Sequence, residues 1–345
     1  MNPLSMNVLI YDGPWRMRLT ALPSPRPAAD EVLLRALAVG ICGSDVHGFT
    51  GESGRRQPGM VMGHEAVGEV VELGTGVDTL AVGDHVAVFN IVGCGHCHHC
   101  TAAQEQRCPD KRVLGVNAGQ WGAMAEQFTF PASGLFKIAP SLDPAIGLLT
   151  EPIAVAEHAI SHLSLRPDDV IAIVGAGTIG IGLAIALRAH GVKTCFALDR
   201  IPAKLDLIAD FGATPINIEM ENAHAVIRAA TRGRGADGVI EAVGASATVR
   251  TAYDLCAPGG TVVLIGNLAR EFTLPLQGVT SNETTIRGSY GFTRRDFAAA
   301  VDLVGDPLLP LDRLISGSCS LAETPDIMTR MGRGELNPIK MVIRP

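Results

Sequence analysis

A five-residue apolar run, Val170–Val174, stops at Gly175-Ala176-Gly177-Thr178-Ile179-Gly180 and continues as a small-residue helical pattern to His190. Three glycines spaced in this way between a strand and a helix serve three needs: a tight turn, close approach of backbone to a pyrophosphate, and close packing of helix on strand. The helix N-terminus adds unpaired N–H groups and a positive dipole end for the phosphates. Residues 170–187 also form a stretch of eighteen uncharged residues, long enough to be weighed as a membrane span. The β-branched run, the glycine spacing and the stop at His190-Gly191 favour a buried strand, turn and helix.

Apolar runs at 194–198, 214–217, 238–241 and 261–265 alternate with helical stretches at 202–211, 222–232 and 247–256. Such alternation predicts a doubly wound parallel sheet with helices on both faces. The first 150 residues differ, with short β-type runs at 32–37, 66–73 and 84–90 separated by Gly, Pro and Asp. The character changes after Glu151-Pro152, where 153–163 reads as a helix and Arg166-Pro167-Asp168-Asp169 as a turn. Residues 297–304 read as a helix and 340–343 as a closing strand; no internal repeat or low-complexity segment is present.

A net charge of -7, with basic residues clustered no further than Arg55-Arg56 and Arg294-Arg295, leaves no electrostatic footprint for nucleic acid or an anionic membrane. A small-molecule partner is expected instead. The residues from Met1 to Val8 lack the pattern of a secretory leader, so a cytoplasmic location is expected. In that reducing setting the eight cysteines are read as metal ligands and free thiols rather than disulfides. Cys195, Cys256 and Cys319 fall in apolar or small-residue surroundings and read as buried free thiols.

The remaining thiols are clustered. Cys94, Cys97, Cys100 and Cys108 lie within fifteen residues and offer four thiolates, enough to close a tetrahedral zinc with no open position. A redox disulfide pair and a zinc ribbon for nucleic acid are the competing readings. The ribbon would need more cations than Arg107, Lys111 and Arg112. His96, His98 and His99 read as exposed loop residues. Cys42 and His64 with Glu65 or Glu151 offer sulfur, nitrogen and oxygen ligands, the mixed set of a catalytic zinc with a position left for substrate. Each of these residues taken singly has an ordinary structural explanation. The case rests on their order and on the polar neighbours Ser44, Asp45 and His47.

The strand at 194–198 runs into Asp199, whose carboxylate suits the ribose hydroxyls of NAD and repels a 2′-phosphate. Arg200 could pair with that phosphate, and Lys204 one turn on could meet ribose or phosphate. NAD is expected over NADP. Arg55 and Arg56 read as a solvated pair on a loop, with capture of a substrate carboxylate or phosphate as the functional alternative.

Gly40-Ile-Cys-Gly-Ser-Asp-Val-His47, Gly63-His-Glu-Ala-Val-Gly68, Gly83-Asp-His-Val86, the four-cysteine loop, Glu151-Pro-Ile-Ala-Val-Ala156, the glycine fingerprint and Gly288-Ser-Tyr-Gly291 occur in this order along the whole chain. In them the sequence resembles the zinc-dependent medium-chain dehydrogenase/reductase family, particularly its polyol and threonine dehydrogenase branch. The resemblance implies an α/β protein: a GroES-like, mainly-β catalytic domain over 1–152 and 292–345, with a structural-zinc lobe near 92–110, and a Rossmann NAD-binding domain over 153–291. It implies two zincs per chain, with Cys42 and His64 as inner catalytic ligands. Glu151 stands where familiar zinc alcohol dehydrogenases have a cysteine, and Glu65 ligates directly, through water, or is held in reserve.

By the same resemblance Ser44 and His47 pass a proton towards solvent, Asp45 orients the site, and Ile265, Gly266, Asn267, Ser289 and Tyr290 line the nicotinamide end, while Thr178 and Ile179 bind the cofactor as part of the glycine fingerprint. A homodimer or homotetramer is implied as well. The expected activity is hydride transfer from a secondary alcohol, such as a polyol, sugar derivative, sugar acid or hydroxy amino acid, to NAD, giving a ketone. The competing functions are an NADPH-dependent alcohol or aldehyde reductase and a non-catalytic binding protein on the same fold.

Overall fold

In a computed structural model, residues 5–117 and 121–345 are described, so the leader-free reading of the first eight residues falls partly outside them. The chain divides into two compact units, Met1–Glu151 with Thr293–Pro345, and Pro152–Phe292.

The second unit carries a six-stranded sheet in the order Thr214–Asn217, Thr194–Asp199, Val170–Val174, Ala236–Glu241, Cys256–Leu264, Thr285–Gly288. All five pairings are parallel. Val170–Val174 is buried throughout, as a strand covered on both faces must be. The glycine fingerprint opens the helix Thr178–Ala189. Further helices start where local chemistry permits. Pro202 sits in the first turn of Pro202–Asp210, where its missing N–H is harmless. Asn222 caps Ala223–Ala230 by accepting the Ala225 N–H at 3.1 Å. Val170, Val174, Phe196, Leu198, Val239 and Val262 form one core of this unit.

The first unit is built on a seven-stranded sheet in which Glu31–Ile41 pairs Glu65–Leu73 on one side and Lys340–Ile343 on the other, both antiparallel. A three-stranded sheet, order Arg16–Pro23, Ser5–Gly13, Met60–Val61, adjoins it in the core that contains Val8, Tyr11, Leu34, Val70, Phe128 and Phe130. The helix Arg294–Val304 begins at a reciprocal cap: Thr293 Oγ1 accepts from the Asp296 N–H, and the Asp296 carboxylate accepts from the Thr293 N–H.

Several boundaries differ from the sequence expectation. The helix expected at 153–163 is Thr150–Ile160, because Pro152 lies in the first turn and does not delay its start. The strand expected at 261–265 begins at Cys256 and runs through Pro258-Gly259-Gly260. Cys195 and Cys319 are buried as expected, but Cys256 is half-buried at that strand's start. The helix Gly43–Phe49 and the hairpin Ser5–Gly13 with Arg16–Pro23 were not legible as elements. Among the described residues, no helix is long and apolar enough to cross a membrane.

Candidate active site and cofactor turn

Cys42 ends the strand-to-helix connection as the N-cap of Gly43–Phe49, and His64 precedes the strand Glu65–Leu73. Register places Gly40 opposite Glu65. One ligand atom each from Cys42, His64 and Glu65 lies within 4.8 Å of the others. Thiolate, imidazole and carboxylate together form a donor set that suits zinc.

The His64 ring is oriented by Asp45, which is fully buried; Nδ1 donates to Asp45 Oδ1 at 3.2 Å. A carboxylate only accepts, so Nδ1 carries a proton, and Nε2 is the nitrogen that a metal would take in place of a proton. Asp45 Oδ2 accepts from the Cys42 N–H at 3.3 Å, so one carboxylate ties Cys42 and His64. Burial alone would raise the Asp45 carboxyl, but His64 and Arg56 override it and hold it at about 2. For His64 burial acts downward, and the Asp45 carboxylate outweighs it to hold the imidazole well above its usual range.

Glu65 is buried, and both of its carboxylate oxygens accept from Lys340 Nζ, at 2.7 and 2.6 Å. Burial acts to lower the Lys340 ammonium, and Glu65 outweighs it to hold it above its usual range. Glu151, in the first turn of Thr150–Ile160, accepts from Asn90 Nδ2 at 3.0 Å through Oε1. The same Asn90 amide donates to the His64 carbonyl at 3.0 Å. Burial pushes the Glu151 carboxyl up to about 7, against the pull of His64 and with a push from Glu65. Ser44 is exposed on the first helical turn, and His47 is half-buried with Nδ1 2.7 Å from Glu52 Oε2.

In the lobe, the sulfurs of Cys94, Cys97, Cys100 and Cys108 lie within 4.8 Å of one another. Cys94 and Cys100 are 4.0 Å apart, close to the edge of about 3.8 Å expected of a tetrahedron with Zn–S near 2.3 Å. Backbone N–H groups point at these sulfurs: Cys97 to Cys94 at 3.4 Å, Cys100 to Cys97 at 3.5 Å, and Cys94 to Cys108 at 3.4 Å. Backbone donation beginning at His96 holds the Cys94 thiol down at about 6. His96 Nδ1 also lies 3.0 Å from Cys94 Sγ. His98 and His99 stand on the short helix His98–Thr101 rather than on a loop. The lobe is anchored within its unit by Arg294, whose Nε donates to Glu105 Oε1 at 2.8 Å and whose guanidinium lies over the Phe89 ring.

In the second unit the three fingerprint glycines do different work. Gly175 has φ +106 and faces Val243, Gly180 packs so closely on the Gly175 carbonyl that no Cβ fits, and Gly177, the helix N-cap, has open space where a Cβ would stand. Asp199 reaches the same turn: Oδ2 accepts from the Ala176 N–H at 2.9 Å, and Oδ1 from the Arg200 and Ile201 N–H groups at 2.7 and 3.0 Å. Arg200 is exposed, and burial lowers the half-buried Lys204 ammonium. Ile265 and Gly266 donate to the Glu241 carbonyl, and Asn267 is exposed. Ser289 donates its N–H to Leu264 O at 2.8 Å, its buried hydroxyl has no partner among the described residues, and Tyr290 is exposed. These residues gather at the carboxyl ends of the parallel strands, where open α/β sheets bind ligands.

Residues 28–140 match the model of the alcohol dehydrogenase GroES-like domain, and residues 178–306 that of the zinc-binding dehydrogenase. Sorbitol dehydrogenase of Bacillus subtilis is 30% identical over 99% of this chain and 98% of its own length. The chain belongs to the zinc-dependent medium-chain dehydrogenase family. L-galactonate-5-dehydrogenase of Escherichia coli is 32% identical over 93% of this chain and 94% of its own length. Among solved structures, the alcohol dehydrogenase of Thermus sp. ATN1 superposes with a TM-score of 0.89 at 31% identity, covering 98% of this chain and 99% of its own. A zinc-binding dehydrogenase from Sinorhizobium meliloti 1021 bound to NADP gives 0.91 at 28%, covering 99% and 100%. The chain is therefore a zinc-dependent oxidoreductase with a GroES-like domain and a Rossmann domain.

Sequence reasoning missed four members of these sites. Lys340 was read only as the first residue of a closing strand, and Asn90 as a strand end. Glu241, wholly buried, accepts the Val243 and Gly244 N–H groups at 2.9 and 2.7 Å and so shapes the loop against Gly175. Arg56 was read with Arg55 as a solvated pair. Only Arg55 is exposed; Arg56 is buried with Nη2 3.1 Å from Asp45 Oδ1. A carboxylate that is both buried and bound to histidine calls for a second cation, and the pair Arg55-Arg56 in the following loop offered one.

Proposed function

We propose that this dehydrogenase oxidises a secondary hydroxyl of a polyol or sugar acid to the ketone, reduces NAD in preference to NADP, and carries two zincs per chain. The observation that carries the reading is the convergence of Cys42, His64 and Glu65, with Asp45 fixing the free nitrogen of the imidazole. Cys42 and His64 would hold the catalytic zinc with a carboxylate from Glu65, whose oxygens Lys340 also engages, or from Glu151. When bound, that zinc supplies a Lewis acid that lowers the pKa of the substrate hydroxyl. Cys94, Cys97, Cys100 and Cys108 would hold the second zinc as a closed structural site.

Around the metal group, His47, with Nδ1 engaged by Glu52, relays the substrate proton outward with Ser44. Asp199 favours NAD because a 2′-phosphate beside a carboxylate is repelled. The polyol or sugar-acid class is supported by relatives named sorbitol dehydrogenase and L-galactonate-5-dehydrogenase. The edge strand Thr285–Gly288 supplies backbone groups for pairing in a homodimer or homotetramer. The catalytic domain is read as 1–152 with 292–345 and the NAD-binding domain as 153–291.

Metal analysis combined with a cofactor and substrate screen tests this reading. Two zincs per chain, one lost in Cys42→Ser, and NAD reduction with polyols or sugar acids are expected. One zinc per chain with full activity in Cys42→Ser, or a strong NADP preference, would overturn it.

A further inference from the structure

Arg56 sits where a solvated loop cation does not belong. Its side chain is 2% exposed, and its Nη2 donates to Asp45 Oδ1, the atom that also accepts from His64 Nδ1, while Asp45 Oδ2 holds the Cys42 N–H. One carboxylate thus connects the guanidinium to both residues that would grip the metal. Among the described residues Arg56 Nε has no hydrogen-bond partner. The charged and titratable groups on it are Asp45, with His64 beyond, and Tyr11. Asp45 and Gly48 lie three apart on one helix face, and the Arg56 stem crosses that face. A Cβ on Gly48 would lie 2.6 Å from Arg56 Cγ and 3.1 Å from Nε. The helix therefore leaves a slot in which an arginine, approaching over a bare backbone, reaches the carboxylate.

We propose that Arg56 is a positioning residue for the catalytic metal: it pins Asp45 so that the Cys42 backbone and the His64 ring are held in one fixed geometry, and Gly48 exists to admit it. This rests on the metal reading above. A purely structural role would make Arg56 a counter-charge for a buried carboxylate, and its loss would lower the unfolding temperature without touching the metal. A positioning role makes the metal itself report the change, because partners behind a ligand alter metal affinity or activity by about 10- to 100-fold.

The test follows zinc release to a chelator and the visible spectrum of the cobalt-substituted protein, in wild type, Arg56→Met, Arg56→Lys, Gly48→Ala and the Arg56→Met/Gly48→Ala pair. Arg56→Met is expected to speed release of one zinc per chain by about 10- to 100-fold and to shift the cobalt ligand-field band, leaving the second zinc and NADH affinity unchanged. Arg56→Lys is expected to recover part of both, since it keeps the charge and loses the planar fork. Gly48→Ala keeps the guanidinium but closes its slot. Helix propensity favours alanine there, yet the same fast release is expected, and the double variant should be no faster than Arg56→Met.

If Arg56→Met does not fold, Gly48→Ala carries the test alone. Wild-type release and an unmoved band in the folded variants overturn the inference by itself. A wild-type protein whose zinc content is unaffected by Cys42→Ser overturns the metal reading, and this inference with it.

Discussion

The four thiols of the cysteine lobe come from fifteen consecutive residues and take N–H bonds from their own loop. Around Cys42 and His64 the arrangement is the reverse. The helix Gly43–Phe49 supplies Asp45, the following loop Arg56, a loop after another strand Asn90, a second helix Glu151, and the last strand Lys340. The lobe is a set of four like side chains whose support is local. The other group has unlike side chains: His64, Glu65 and Glu151 are held by buried partners distant in sequence, and Cys42 by Asp45 three residues on. On the proposed function, local support suits a site that stabilises, and distributed support one whose charge and orientation are tuned separately at each residue.

This contrast is broken most directly at Cys42. Cys42→Ser should reduce kcat/KM by more than the roughly 100-fold ceiling for outer partners, measured as NAD reduction, while the lobe keeps its zinc. Equal zinc loss from both sites would erase the distinction. Next in size is the Glu65–Lys340 pair, in which both side chains are at most 2% exposed. Lys340→Met strands a buried carboxylate and should cost about 3–5 kcal/mol in denaturant unfolding, with Glu65→Gln/Lys340→Met recovering much of it. A double variant no better than the single would show that the pair contributes no mutual compensation.

Cys97→Ser should act mainly on stability. A fall of about 5 °C in Tm is expected, with kcat/KM of the folded fraction changed less than about tenfold. A collapse in activity larger than that would make the lobe a working part of the site. The smallest effect is expected at the thiols outside both groups. Burial pushes Cys195 and Cys256 up to about 12, so at pH 8 each is thiolate at about one part in ten thousand. Both should resist alkylation in the native protein, gain reactivity only as pH approaches 12, and react freely at pH 8 once unfolded. Cys94 should react at pH 8 as soon as any zinc of the lobe is chelated, as its low value requires, whereas Cys100, which burial pushes up to about 12, should lag behind it. Mass-spectrometric mapping of alkylated peptides checks both.

The same contrast explains what the sequence could and could not disclose. The strand Val170–Val174, its three glycines and the parallel order around it follow from periodicity and spacing, because each depends on residues close in sequence. The four-cysteine lobe was legible for the same reason. Cys42, His64 and Glu65 were legible only as members of an ordered series, and their convergence depends on strand pairing over long separations. Lys340 could not be found, since a lone lysine before Met-Val-Ile reads as an exposed strand start. Gly40 opposite Glu65 was its one indirect signal, because a side chain at 40 would occupy the place of the Glu65 carboxylate. Arg56 was misread because pairs of arginines are usually solvated, and burial is decided by the absent side chain at 48 rather than by anything beside it.

Glu65 and the ammonium that neutralises it are 275 residues apart, with the whole of Pro152–Phe292 made in between. On a ribosome adding about 5–20 residues per second, the carboxylate waits roughly 15–55 s for its counter-ion. Through that interval the sheet of the first unit lacks both its Lys340–Ile343 strand and a balanced interior charge, while the Pro152–Phe292 unit has all of its residues once Phe292 is made. The order of synthesis thus completes the Pro152–Phe292 half first and leaves closure of the half that carries Cys42 and His64 to its Lys340–Ile343 strand.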